Sequence, residues 1–144
     1  MGSHEYNRGD DSDYHDMLGY RITEWRDGYV RLEMDVLPHH RHRGSHTHGG
    51  ILMGLLDISG LLSNLYDKHD RVETLTQSLS TNFIAAVHSQ KLAAIGELIK
   101  AGNSVYFANS KIIDIETDTL LANGQGTFRI RPKDHGKRSG REEL

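Results

Sequence analysis

His48-Gly49-Gly50 is followed, seven residues after the second glycine, by Asp57, inside a run that continues to Tyr66. From Gly50 to Tyr66 almost every residue is apolar or small, proline is absent, and Asp57 is the only charge. That composition predicts a helix over 50–66 enclosed on most sides, since a surface helix would carry a polar face. The run is too short, and too interrupted by Asp57 and Gly60, to span a membrane. A carboxylate on such a helix is either paired, exposed through a gap, or in use. Two glycines at the helix start let a ligand approach the backbone closely, and the first N–H groups of a helix have no partner within it. The positive end of the helix dipole lies there as well and favours an anion or a developing oxyanion. Gly50 N–H is therefore the candidate oxyanion donor, with Gly49 beside it on the ligand's path. Asp57 is the candidate nucleophile or general base, two roles that the sequence leaves open. Its burial tends to raise its pKa, subject to its neighbours.

With this spacing the sequence resembles the hotdog-fold thioesterases, and within them the phenylacetate-pathway (PaaI-like) branch of the acyl-CoA thioesterases. The resemblance covers about residues 17–132. It implies an α+β hotdog fold, in which one long buried helix is wrapped by a curved antiparallel sheet. It implies hydrolysis of an acyl-CoA thioester with Asp57 as the catalytic acid, and no cofactor beyond the coenzyme A of the substrate. The His48 ring would orient its loop or help to polarise the thioester carbonyl. Thr76 aligns with a Ser or Thr that helps to hold the water in relatives, although it is out of phase with the apolar positions of its own strand. Relatives often carry Asn or Gln about six residues before this histidine, where His42 stands here. The alternative is a non-catalytic acyl-CoA-binding or regulatory hotdog module. Against it, a mere binder has little reason to bury a lone carboxylate beside an oxyanion site.

Gly50 and Asp57 are separated along one helix by roughly 10 Å, from a rise of ~1.5 Å per residue. A reacting thioester carbon must lie within ~3 Å of both the oxyanion donor and the attacking group, which one helix cannot arrange. Two antiparallel helices across a two-fold axis can, so the site is expected to be shared between two subunits. The resemblance agrees, implying a homodimer with sheets joined edge to edge and pairs that associate into a dimer of dimers.

Segment 39–48 holds half of the ten histidines. Imidazole is a common metal ligand, but the segment contains no carboxylate and the chain no cysteine, so no physiological metal site is expected. Arg41 and Arg43 are candidates for holding coenzyme A phosphates, against a plain solvated loop. Asn64, expected on the same helix as Asp57, is a further candidate for reaching a ligand, against a polar residue at a helix end.

These side chains need a frame, and the pattern supplies one. Residues 1–16 are polar and acidic and read as a mobile segment. Leu18–Trp25 and Tyr29–Leu37 alternate around Arg26-Asp27-Gly28 as a hairpin, with Val30, Leu32, Met34 and Val36 on one face. After the helix, Leu75, Gln77, Leu79, Thr81 and Phe83 share a strand face, with Thr76 on the other. Leu92, Ala94, Gly96 and Leu98 follow, then Val105, Phe107, Ile113 and Ile115, then Leu120, Ala122, Gly124, Gly126, Phe128 and Ile130. The small middle of the last strand suits a sheet passing close over a helix. This order gives one domain over 17–132, with a polar basic tail over 133–144. The formal charge of −3 and a pI near 6.3 give no reason to expect nucleic-acid binding. Without a charged-then-apolar leader or a membrane span, the chain is expected to be cytoplasmic.

Overall fold

The computed structural model describes residues 12–43 and 45–134; the expectations for residues 1–11 and 135–144 lie outside the described residues. The hairpin forms where the alternation places it, as β1 (Arg21–Arg26) and β2 (Tyr29–Asp35). Gly28 takes a φ of +78° in the turn, a conformation glycine enters freely. Val30, Leu32 and Met34 are buried, while Arg31 Nε pairs with Glu33 Oε2 at 2.9 Å on the other face. The chain ahead of β1 differs from the expectation, for Ser12–Leu18 is a helix, α1. Tyr14, Met17 and Leu18, spaced three and four apart, give it an apolar side, and Leu18 is fully buried. Gly19, with φ +73°, ends it.

The central helix, α2, spans Gly49–Leu62 and stops four residues short of the expected end. Its last carbonyls are claimed from outside: Trp25 Nε1 donates to Leu62 O at 2.9 Å and Tyr106 Oη to Leu61 O at 2.8 Å. Ser63 Oγ takes Gly60 O at 2.7 Å. These bonds satisfy groups that a continuing helix would otherwise have used.

Six antiparallel strands form one sheet in the order β1-β2-β4-β5-β6-β3, with β3 at Val72–Phe83, β4 at Lys91–Ala101, β5 at Val105–Asp114 and β6 at Leu120–Pro132. The sheet lies against one side of α2, whose Leu52, Leu55, Leu56 and Ser59 are buried there. Its opposite side is open rather than enclosed: Gly50, Met53, Gly54, Asp57, Ile58 and Leu61, spaced three and four apart, are all exposed or half-buried. Backbone nearly touches backbone on the sheet side, where a Cβ built on Gly96 of β4 would overlap the Ser59 carbonyl.

Three strand faces differ from the expectation. The least change is in β6, where an irregularity in the pairing with β5 leaves Leu120 exposed and buries Leu121 in its stead. In β3 a bulge between Thr76 and Ser78 shifts the phase, so Thr76 opposes the buried Phe128 and faces α2 together with Leu79, Thr81 and Phe83. Leu75, expected on that face, points outward and is exposed. In β5 the inward residues are Tyr106, Ala108, Ser110 and Ile112, and the exposed Phe107 lies on the far side. Small Ala108 and Ser110 fit beneath the close-packed helix, where the larger residues of the expected face would not.

Candidate functional site

Asp57 sits at the middle of the open side of α2, half-buried on a helix with no other charge. Thr76 Oγ1 donates to its Oδ1 at 2.7 Å. Burial pushes the Asp57 carboxyl above the ordinary aspartate range, and the bond from Thr76 partly opposes that rise. One carboxylate oxygen is thus held, and the other is left to act as a base or nucleophile. The β3 bulge brings this about by turning Thr76 toward the helix.

At the other end of the open side, His48 is the N-cap of α2, and its Nδ1 accepts from Gly50 N at 3.0 Å. The Gly50 N–H, expected to be open for an oxyanion, is therefore engaged by its own cap. With Nδ1 accepting, the neutral ring carries its proton on Nε2. Gly49 begins the helix, and the half-exposed Phe83 ring lies over it, 3.6 Å from where a Cβ would stand. The His42 ring reaches the same end, 6.4 Å from the His48 ring and 5.4 Å from that of His46, centroid to centroid.

The remaining candidates are not gathered here. Asn64 is buried beyond the C-terminal end of α2, a helix length away from Gly50, because the helix stops at Leu62. The Arg41 guanidinium is engaged by main-chain carbonyls, donating to Ser45 O of the loop at 2.7 Å and to Ser89 O, ahead of β4, at 3.4 Å. Arg43 is exposed. The histidine-rich segment is more than a solvated loop, for His40 is fully buried. Its Nδ1 accepts from Leu37 N at 2.9 Å, and its Nε2 donates to Met17 O at 2.7 Å. His39 Nε2 donates to the same carbonyl at 2.9 Å, so these two rings fasten α1 to the loop. His46 and His88 face each other with Nε2 atoms 2.9 Å apart. No group of three or more His, Asp or Glu among the described residues could hold a metal ion.

Two residues that the sequence reading did not single out flank the open side. Phe83, at the end of β3, covers the helix start, and Tyr14 of α1 rests its hydroxyl against Gly54. The signal for Tyr14 was the apolar spacing Tyr14–Met17–Leu18, masked by the surrounding aspartates.

No protein-family model matches the sequence. A protein of Archaeoglobus fulgidus described as a putative esterase is 30% identical over 116 residues, which span 80% of this chain and 73% of that protein. Among solved structures, a thioesterase of Haemophilus influenzae superposes with a TM-score of 0.77 at 18% identity, over 86% of this chain and 87% of that one. The PaaI protein of the phenylacetic acid degradation operon of E. coli does so with a TM-score of 0.72 at 16% identity, over 81% and 83%. The fold is the same in all three chains: one long helix against a curved antiparallel sheet. No helix among the described residues is long and apolar enough to cross a membrane.

Proposed function

The chain belongs to the hotdog-fold thioesterase superfamily, and from that membership we propose that it hydrolyses an acyl-CoA thioester to the free acid and coenzyme A. The observation that carries the reading is Asp57, a half-buried carboxylate on an otherwise apolar helix with one oxygen held by Thr76. Its free oxygen either attacks the thioester carbon or takes a proton from a water that does. Both routes place negative charge on the carbonyl oxygen and release the coenzyme A thiolate. Direct attack leaves an acyl anhydride on Asp57 that a water then hydrolyses to the free acid. Attack by water gives the free acid at once, and the proton taken by Asp57 passes to the thiolate.

That charge would be received at the start of α2, by Gly50 N–H and the helix dipole. The His48 nitrogen now bonded to Gly50 is a neutral acceptor, and an oxyanion is the stronger one, so it would take that N–H in its place. The displaced ring keeps its Nε2 proton and would help to polarise the carbonyl. His42, near His48, stands where relatives carry an amide. A place in the PaaI-like branch is part of this proposal and rests on the His48-Gly49-Gly50 to Asp57 spacing.

The two halves of the site belong to two subunits. Gly50 and Asp57 are centred between Met53 and Gly54 on α2. Phe83 and Thr76, which lie beside the helix start and beside Asp57, are centred between Leu79 and Ser80 on β3. One two-fold axis through both midpoints would set Gly50 of each chain toward Asp57 of the other and pair the two β3 edges antiparallel. Directly opposed residues of such a pair share a face, so Leu79 or Ser80 would oppose its own copy. Further pairing gives the dimer of dimers that the resemblance implies.

The test is thiol release across a panel of acyl-CoA substrates by wild type and Asp57→Asn. Loss of ~10²–10⁴ in turnover, with the fold intact by circular dichroism, is expected of a catalytic acid–base group. Turnover by the variant within about threefold of wild type would overturn the assignment of Asp57. Saturable acyl-CoA binding by wild type with no turnover would replace the hydrolase with a binding module.

A further inference from the structure

We infer that Tyr14, from the helix ahead of the first strand, forms one wall of the acyl pocket and limits the bulk of the acyl group that can sit beside Asp57. This inference rests on the hydrolase reading and deepens it.

A cavity of about 380 Å³ opens on the outward side of α2, lined by Tyr14, His15, Asp57, Ile58, Leu61 and Thr74, with Leu62 beneath. Its floor is α2 from Asp57 toward the C-terminal end. α1 contributes Tyr14 and His15 to its walls, and β3 contributes Thr74. Asp57 is one of its lining residues, so an acyl group whose carbonyl lies at Asp57 has this cavity beside it. Apart from Thr74 and His15, the surfaces beyond Asp57 are a tyrosine ring and aliphatic side chains, which suit hydrocarbon. The volume is at the small end of the ~300–1,000 Å³ typical of small-molecule pockets, which points to a compact acyl group rather than a long fatty chain.

Four features hold Tyr14 in this place. Gly54 leaves room for it, because a Cβ there would strike the tyrosine hydroxyl. Leu18, fully buried, anchors the end of α1, and the Met17 carbonyl is gripped by both His39 and His40. The His15 ring is held by Tyr20, whose hydroxyl lies 2.5 Å from Nδ1. Tyr14 itself remains 47% exposed, so it rests on the helix as a wall and is not part of the core. Burial, and the Asp57 charge after it, push its hydroxyl pKa up, which agrees with a protonated hydroxyl close to the carboxylate.

Two substitutions approach the same wall from opposite sides. Tyr14→Ala removes it. Gly54→Ala pushes it aside, and because the collision is with the tip of a flexible side chain, the fold survives. Each variant is assayed with butyryl-, isobutyryl-, hexanoyl- and benzoyl-CoA, and kcat/KM is compared within each panel. The ratio of bulky to slim substrates should rise at least about tenfold in both variants, as expected when pocket contacts worth a methylene or more change. The double variant should shift no further than either single one, and Tyr14→Phe should keep the wild-type profile. Parallel changes across the panel in Tyr14→Ala and Gly54→Ala would overturn the inference. If wild type turns over no member of the panel, the hydrolase reading fails by itself. The same four thioesters are then titrated by calorimetry, and the wall stands or falls on whether the bulky-to-slim ratio of Kd moves by the same factor.

Discussion

Thr76 opposes the burial of Asp57, and the balance between them sets where the carboxylate ionises. Asp57 must be ionised to act, so turnover should fall as pH drops through its pKa. That pKa lies above the ordinary aspartate value of ~3.9, because burial outweighs the Thr76 bond. Thr76→Val removes the lowering contribution and leaves the burial. The acid limb of the kcat/KM profile should therefore move to higher pH, while Thr76→Ser should leave it near wild type. An unmoved limb in Thr76→Val would mean that the observed limb belongs to another group. Of these two residues, Asp57 was legible in the sequence because a lone charge in an apolar run announces itself. Thr76 was reached only through the resemblance, because strict alternation put it on the wrong face of β3. The bulge that corrects the phase leaves no mark in a run of Thr, Gln and Ser. Tyr14 was hidden in another way, by aspartates that give its helix the composition of a solvated tail.

At the scale of elements, α2 is built to be approached from one side and sealed on the other. The sealed side depends on Gly96 of β4, where the sheet meets the Ser59 carbonyl with no side chain between them. Gly96→Ala has to displace main chain from main chain, with no side chain that could yield instead. It should cost at least ~3 kcal/mol, the upper end for overpacking, read as a lower urea midpoint of unfolding. Gly54→Ala, on the open side, collides within its own chain with the Tyr14 tip alone, Leu18 lying at ordinary contact distance, and should lower that midpoint less than Gly96→Ala does. The existence and order of the hairpin, the helix and the later strands were legible from periodicity. The end of α2 was not, because Trp25 and Tyr106 terminate it from distant regions of the chain. The inward face of β5 was misread for a related reason: Ala108 and Ser110 are chosen by the closeness of the helix and not by their own hydrophobicity.

For the molecule as a whole, the twelve-residue edge of β3 and the open side of α2 lie next to each other, and both carry apolar groups. Phe83 and Ile84 are more than half exposed there, and Met53 is 40% exposed. A long unprotected edge strand is a site for strand addition, and a second copy of the chain is the partner that would complete the site. Complementation tests this directly. Asp57→Ala and Gly50→Pro should each be inactive as homodimers, the proline removing an N–H that a first helical turn can spare. After co-refolding, random pairing makes half the dimers mixed, each with one intact site of two, and activity should return to about a quarter of wild type. Verified mixed dimers that stay inactive while both variants are folded would reject the shared site. The touching backbones at Gly96 and Ser59 carry one more consequence, for descent. A lineage built on this contact has no freedom to vary where the sheet meets the helix, since a single methyl there forces the two apart. Its inheritance of new substrates has to be written on the opposite side, in the short helix and the edge strand that flank Asp57. Ancestry should therefore be easiest to read in the buried glycines, and divergence in the residues around Tyr14.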